Sequence, residues 1–155
     1  MALSKGDVAP VFTLNNTNNE PVSLTAHQGK PVVVLFFPLA FTGVCTEEMC
    51  TMRDNMAKYE AVDAQVLAIS VDSPFTLAQF KEKENLNFPL LSDFNKSATK
   101  DYGVFYEDFF GMHGVSKRSA FVVDAEGKIA YAEVLESAGD QPNYHAIQET
   151  VRSLS

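Results

Sequence analysis

Thiols are scarce in this chain: two in 155 residues, Cys45 and Cys50, with none after them. Their Cys-x-x-x-x-Cys spacing is not the Cys-x-x-C of a general dithiol oxidoreductase, and it fits no zinc knuckle. Basic charge is also in short supply. Twelve Lys and Arg stand against 20 Asp and Glu, a formal charge of −8 at pH 7. No run of cations offers the basic patch that a nucleic acid or an anionic membrane surface requires. Long apolar runs are missing as well. The longest, residues 32–37, falls far short of the ~18 residues of a membrane span and suits a buried strand. The opening "MALSKGDVAPVF" lacks the apolar core of a secretory signal. A cytoplasmic protein is therefore expected, and in a reducing compartment a cysteine pair is more often catalytic or metal-binding than structural. The three histidines, His27, His113 and His145, have no ligand spacing to one another or to the cysteines. Neither a metal nor another cofactor is expected.

What is present is the make-up of a folded domain, 46% hydrophobic and 21% charged. The length predicts one domain over residues 1–155, able to bury roughly 68–70% of its unfolded surface without staples. "PVFTLNNTNNEPVSL" reads as two short strands around an Asn-rich turn. "KPVVVLFF", bounded by Pro31 and Pro38, reads as a strand buried on both faces. From about Thr42 the pattern turns helical, with Met49, Met52, Met56 and Tyr59 on one stripe. "QVLAISVD" is a second buried strand. Ser73 is placed to cap a helix with Pro74 at its first position, opening "PFTLAQFKEKENL". "FPLLSD" predicts a third strand, "SATKDYGVF" a shorter helix, and "RSAFVVDAEGKIAYAEVLE" a hairpin turning at residues 125–128. "PNYHAIQETVRSLS" predicts a final helix. This order implies an α/β, thioredoxin-like fold: a mixed central sheet flanked by helices, with an N-terminal β-hairpin extension.

Cys45 falls in the first turn of a helix that starts at the carboxyl end of a central strand, where α/β sites tend to form. A helix N-terminus offers free N–H groups and a partial positive charge. Both favour the thiolate, which is the reactive form. Thr42, three residues earlier, can aim its hydroxyl at the sulfur or at a bound oxygen substrate. Pro38 shapes the loop and has no N–H to donate. Plainer alternatives stand beside these: a free cysteine next to a buried strand is often a small core residue, and a threonine before a helix is often its cap. Tyr102, Phe105, Tyr106, Phe109 and Phe110 recur at helical spacing and suit either core packing or a homodimer surface.

The segment "PLAFTGVC" fits the Pro-x-x-x-Thr-x-x-Cys signature of the peroxiredoxins, the alkyl hydroperoxide reductase and thiol-specific antioxidant family. "FFPLAFTGVC" resembles the AhpE-like subgroup in particular. "GDVAPVF" near the start and "SKRSAFVVDAEGKI" extend the resemblance over the chain. It implies a peroxidase acting on hydrogen peroxide and organic hydroperoxides, with Cys45 as the peroxidatic cysteine. By the same resemblance Thr42 binds the peroxide oxygens, Pro38 shields the thiolate, Arg118 completes the anion site and Glu48 orients the arginine. Cys50 matches the PrxQ/BCP-like subgroup, in which that position resolves the sulfenic acid. The implied partner is thioredoxin or a glutaredoxin-like reductant. Three alternatives remain open: a one-cysteine peroxidase with Cys50 as a core thiol, a general thiol–disulfide oxidoreductase, and a redox-sensing or metal-binding module. Spacing adds one constraint. Five residues along a helix turn about 500° and rise about 7.5 Å, leaving the Cα atoms roughly 8–9 Å apart, whereas a disulfide needs them within about 7 Å. A Cys45–Cys50 bond therefore requires the helix to unwind locally.

Overall fold

The apolar run after Pro31 becomes an interior strand. In the computed structural model, which describes residues 3–154, β3 (Val32–Phe36) is buried along its whole length. Its neighbours are β4 (Gln65–Ser70), parallel to it, and β6 (Ser119–Val123), antiparallel. Beyond β4 lies β5 (Leu90–Ser92), again parallel, and beyond β6 lies β7 (Ile129–Val134), antiparallel. The N-terminal hairpin, β1 (Thr13–Asn16) and β2 (Pro21–Ser23), joins the sheet because β1 pairs antiparallel with β5. The order is β2-β1-β5-β4-β3-β6-β7. The mixed sheet and its hairpin extension are those expected from the sequence.

Among the described residues five α-helices flank the sheet, α1 (Gly43–Asp54), α2 (Met56–Glu60), α3 (Pro74–Glu84), α4 (Ser97–Asp101) and α5 (Tyr144–Ser153), and a short 3-10 helix spans Leu24–His27. The last residue of the predicted C-terminal helix, Ser155, lies outside the described residues. Side-chain alternation along β3 divides the core in two. Val33, Leu35 and Phe37 pack with Met49, Met52, Tyr59, Phe80 and Ile147 on one face. Val32, Val34 and Phe36 pack with Tyr102, Val104 and Phe121 on the other. Ser73 caps α3 as expected, its Oγ accepting from the Thr76 N–H at 3.2 Å, with Pro74 in the first turn.

Two local expectations change. The helical stripe from Met49 to Tyr59 is broken at Asn55 (φ −110°, ψ 9°), so α1 and α2 are separate helices that share one apolar face. The aromatic run after residue 101 is not helical. Gly103 turns the chain with φ +71°, and bridges pair Phe105 with Ser116 and Phe109 with Met112. Only Tyr102 of the five aromatics enters the core, while Phe110 is 87% exposed. The 3.6-residue period here is a coincidence that a glycine with left-handed geometry overrides.

Topology places the site. The parallel strands β3, β4 and β5 end at one edge of the sheet, and antiparallel β6 begins there. Phe36 pairs with Ser119, so Arg118, one residue before β6, lies across from the loop that leads into α1.

Candidate active site

The loop from β3 to α1 is held from several sides. The Phe37 N–H continues the sheet to the Ile69 carbonyl at 3.0 Å. The Ala40 N–H donates to Asp72 Oδ2 at 2.8 Å, and the Ser70 hydroxyl steadies that same oxygen at 2.7 Å. Phe41 then takes a left-handed backbone, φ +67°, which costs a non-glycine residue about 1–2 kcal/mol. Its ring rests on Phe80 (centroids 5.2 Å apart), with Lys83 Nζ 5.8 Å from its centroid. Pro38 is buried within this loop.

Thr42 stands at the N-cap of α1 in extended conformation, with no capping bond from its side chain. Instead its hydroxyl donates to the Leu39 carbonyl at 2.8 Å. That refines the expectation. With its proton on Leu39, the exposed Thr42 oxygen presents lone pairs outward, so it can accept a hydrogen from a bound molecule rather than donate to the sulfur. The cap side chain also leaves the first-turn N–H groups of α1 free to face negative charge.

Arg118 is in direct contact with both Cys45 and Glu48. Cys45 is 1% exposed, Glu48 0% and Arg118 1%. Arg118 Nη1 donates to Glu48 Oε1 at 2.6 Å, and Nη2 donates to Cys45 Sγ at 3.3 Å and to the Ala138 carbonyl at 3.0 Å. Cys45 and Glu48 are three apart on one helix, hence on one face, which lets a single planar guanidinium span both. Burial pushes the Glu48 carboxyl up to about 7, while Arg118 pulls it down and Glu133 pushes it further up. For Arg118, burial opposes the charge, yet Glu48 and Cys45 outweigh it and raise the pKa. Glu48 Oε2 and Arg118 Nε are buried without a hydrogen-bond partner among the described residues. A cation is thus fixed against the sulfur in a buried pocket, where it stabilises negative charge on sulfur or on an attached oxygen. Lys117 differs from its neighbour: it is half-buried, with Nζ 3.8 Å from Glu136 and 5.8 Å from the centre of the Tyr106 ring.

The segment between β7 and α5 covers this pocket. Besides the Ala138 carbonyl, it supplies Gln141, which donates to Glu47 on α1. The Tyr144 hydroxyl donates to Gln141 Oε1 at 2.6 Å. Cys50 looks elsewhere. It is half-buried on α1, and its thiol donates to Glu84 Oε1 of α3 at 3.5 Å. Burial first, then Glu84, raises the Cys50 pKa against the pull of Arg53. Both cysteines are free. Sequence reasoning missed Asp72, Glu84 and the Ala138 carbonyl. No local pattern marks them, because each acts by reaching a loop or helix distant in the chain. Among the described residues no cluster of His, Cys, Asp and Glu could hold a metal ion.

A model of the AhpC/TSA family matches residues 5–132. The chain belongs to that family. It is 42% identical over 135 residues to peroxiredoxin Bcp of Escherichia coli K12, covering 83% of this chain and 84% of that protein. It is also 42% identical over 135 residues to alkyl hydroperoxide reductase E of Mycobacterium bovis, covering 85% and 86%. Among solved structures, peroxidoxin BcpB from Mycobacterium tuberculosis superposes with a TM-score of 0.88 at 29% identity, covering 99% of both chains. A peroxiredoxin-like protein from Aquifex aeolicus gives 0.91 at 27% identity, covering 100% of this chain and 90% of that one. The thioredoxin-like fold is therefore that of the peroxiredoxins, and the protein is an enzyme with thiol-dependent peroxidase activity. Its matches to both the Bcp and the alkyl hydroperoxide reductase E groups agree with the mixture of signatures around Cys45 and Cys50. No described helix is long and apolar enough to cross a membrane.

Proposed function

We propose that Cys45 is the peroxidatic nucleophile of this peroxiredoxin and Cys50 its resolving thiol. The observation that carries the reading is the guanidinium of Arg118 held between Glu48 and Cys45 Sγ. The Cys45 thiolate attacks the terminal oxygen of hydrogen peroxide or an organic hydroperoxide. The S–O bond forms, the O–O bond breaks, and the departing oxygen takes the proton of the attacked hydroxyl to leave as water or an alcohol, with a sulfenate on Cys45 that takes up a proton from solvent to become the sulfenic acid. Charge builds on that oxygen, and donors fixed in advance lower the barrier. Arg118 and the first-turn N–H groups of α1 are those donors. Thr42 Oγ accepts a hydrogen bond from the peroxide hydroxyl and aligns the substrate, Pro38 walls off the sulfur, and Glu48 aims Arg118.

Resolution joins Cys50 Sγ to Cys45 Sγ with loss of water. Both cysteines lie on α1 and face different neighbours, so the first turns of the helix unwind before the bond closes. Thioredoxin or a glutaredoxin-like dithiol protein, in the cytoplasm, then reduces the disulfide. Mass spectrometry of the protein after one equivalent of peroxide tests this directly. The expected product is a Cys45–Cys50 disulfide, with lost amide protection over residues 43–48. Cys45→Ser should remain folded and consume no peroxide, because a hydroxyl is a far weaker nucleophile than a thiolate. Substantial turnover by that variant would remove Cys45 from the mechanism, and a lasting sulfenic acid in the wild type would reduce Cys50 to a core thiol.

A further inference from the structure

The two ends of α1 are anchored differently. At its start, Phe41, Thr42 and Gly43 are exposed, and Val44 and Thr46 are only half-buried. From Met49 onward the helix is fastened. Met49 and Met52 are 0% and 1% exposed in the core, and the Tyr59 hydroxyl reaches Met52 Sδ at 3.9 Å. Arg53 Nη1 donates to the backbone carbonyl of Glu84 at 2.6 Å, and Asn87 Nδ2 donates to the Arg53 carbonyl at 3.3 Å. Under the proposed resolution, unwinding from the start of α1 should stop near Met49, so that Cys45 travels while Cys50 stays against the end of α3 with its thiol on Glu84 Oε1.

We propose that Glu84 is the proton acceptor of the resolving step, taking the Sγ proton of Cys50 as that sulfur attacks the sulfenic sulfur of Cys45; this rests on Cys50 being the resolving thiol. In the step the S–S bond forms and the Cys45 S–O bond breaks. The hydroxyl leaves as water with the proton that Glu84 carries. The Cys45 sulfur is reduced and the Cys50 sulfur oxidised, so no further oxidant or reductant enters. The charged groups facing Cys50 are Glu84 from α3 and Arg53 and Asp54 from α1 itself. Burial and Glu84 keep the thiol protonated at rest, which protects Cys50 from direct oxidation and makes a base necessary when it attacks.

Glu84→Gln isolates the carboxylate, because Arg53 holds the backbone carbonyl of residue 84 and not its side chain. The assay is single-turnover disulfide formation after one equivalent of hydrogen peroxide, quenched and read by mass spectrometry from pH 6 to 9. In the wild type the rate should be nearly flat between pH 6 and 8. In Glu84→Gln it should fall about 10–100-fold at pH 7, at or below the low end of general-base contributions. It should also rise about tenfold per pH unit, because only free thiolate then attacks. Glu84→Asp, which keeps a carboxylate, should restore the flat profile. A Glu84→Gln rate equal to the wild type overturns the proposal, and so does a slower rate with a flat profile, which marks a structural contact only. Absence of a disulfide in the wild type itself refutes the resolving role of Cys50, a failure distinct from that of Glu84.

Discussion

Replacing Arg118 with lysine keeps the charge and removes the fork. In the structure one guanidinium serves three partners: Glu48 Oε1 at 2.6 Å, Cys45 Sγ at 3.3 Å and the Ala138 carbonyl at 3.0 Å. Two of these come from Nη2 and one from Nη1. A single ammonium nitrogen cannot occupy both positions. It should settle on Glu48, since leaving a buried carboxylate unpaired costs about 3–5 kcal/mol, and so withdraw from the sulfur. Losing one preorganised transition-state donor costs about 10²–10³ in rate. The cation that remains nearby recovers part of this, so Arg118→Lys should slow the peroxide step by about 10–100-fold, equivalent to about 1.4–2.7 kcal/mol of barrier. The assay is stopped-flow oxidation of the reduced enzyme by excess hydrogen peroxide, read as a second-order constant. Urea unfolding in parallel checks the fold; the lost Ala138 bond should cost about 1.5 kcal/mol of stability. A folded Arg118→Lys enzyme with the wild-type constant would show that the fork plays no part in the chemistry.

Thr42→Val should lower the peroxide constant by roughly tenfold, about the worth of one hydrogen bond, while Thr42→Ser keeps most of it. Equal rates for valine and threonine would leave Thr42 a purely structural residue, since its side chain does not cap α1. Glu48 gives a test in pH. Its carboxyl rises from an ordinary 4.5 to about 7 on burial, so between those values the native state holds a proton that the unfolded state has released. Stability from this group is full below pH 4.5 and is lost as pH rises through about 7, by about 3 kcal/mol in all. Glu48→Gln lacks that titration. The wild-type minus Glu48→Gln difference in unfolding free energy should therefore fall by 2–3 kcal/mol (about) from pH 5 to pH 8. A difference that stays constant or grows with pH refutes the assignment.

Much of the architecture was legible because the sequence pattern and the burial agree. The run after Pro31 has no polar residue to turn toward water, and β3 is buried on both faces. Ser73 followed by Pro74 carries its own capping chemistry, and α3 begins there. The aromatic run from Tyr102 to Phe110 was misleading because spacing alone cannot register that Gly103 leaves the helix. The site divides along the same line. Cys45, Glu48 and Thr42 lie within seven residues, so one helix start exposes their relation. Arg118 stands 73 positions from Cys45, just before β6, and its contact depends on the β3–β6 register, which no local pattern records. Family resemblance supplied it. Asp72 and Glu84 had neither a pattern nor a motif, and only the packing of β4 and α3 against α1 and its preceding loop brings them into view.

Under the proposed mechanism one helix must both bury the Cys45 sulfur and release it, and the energetics of α1 allow this. Opening the first turns returns Glu48 to water, where its carboxylate regains the solvation whose loss on burial pushes its pKa to about 7. The Arg118–Glu48 attraction and that desolvation penalty oppose one another, as buried pairs generally show, so separating the pair costs less than its 2.6 Å geometry suggests. Phe41 releases about 1–2 kcal/mol of left-handed strain if its backbone relaxes. Farther along the balance reverses. Exposing Met49 and Met52, both within 1% of full burial, would cost about 1.5–3 kcal/mol each with no polar group to compensate. Under the proposed mechanism, the helix is therefore weak where Cys45 moves and firm where Cys50 waits. A five-residue spacing, which an intact helix cannot bridge, places one cysteine on each side of that boundary.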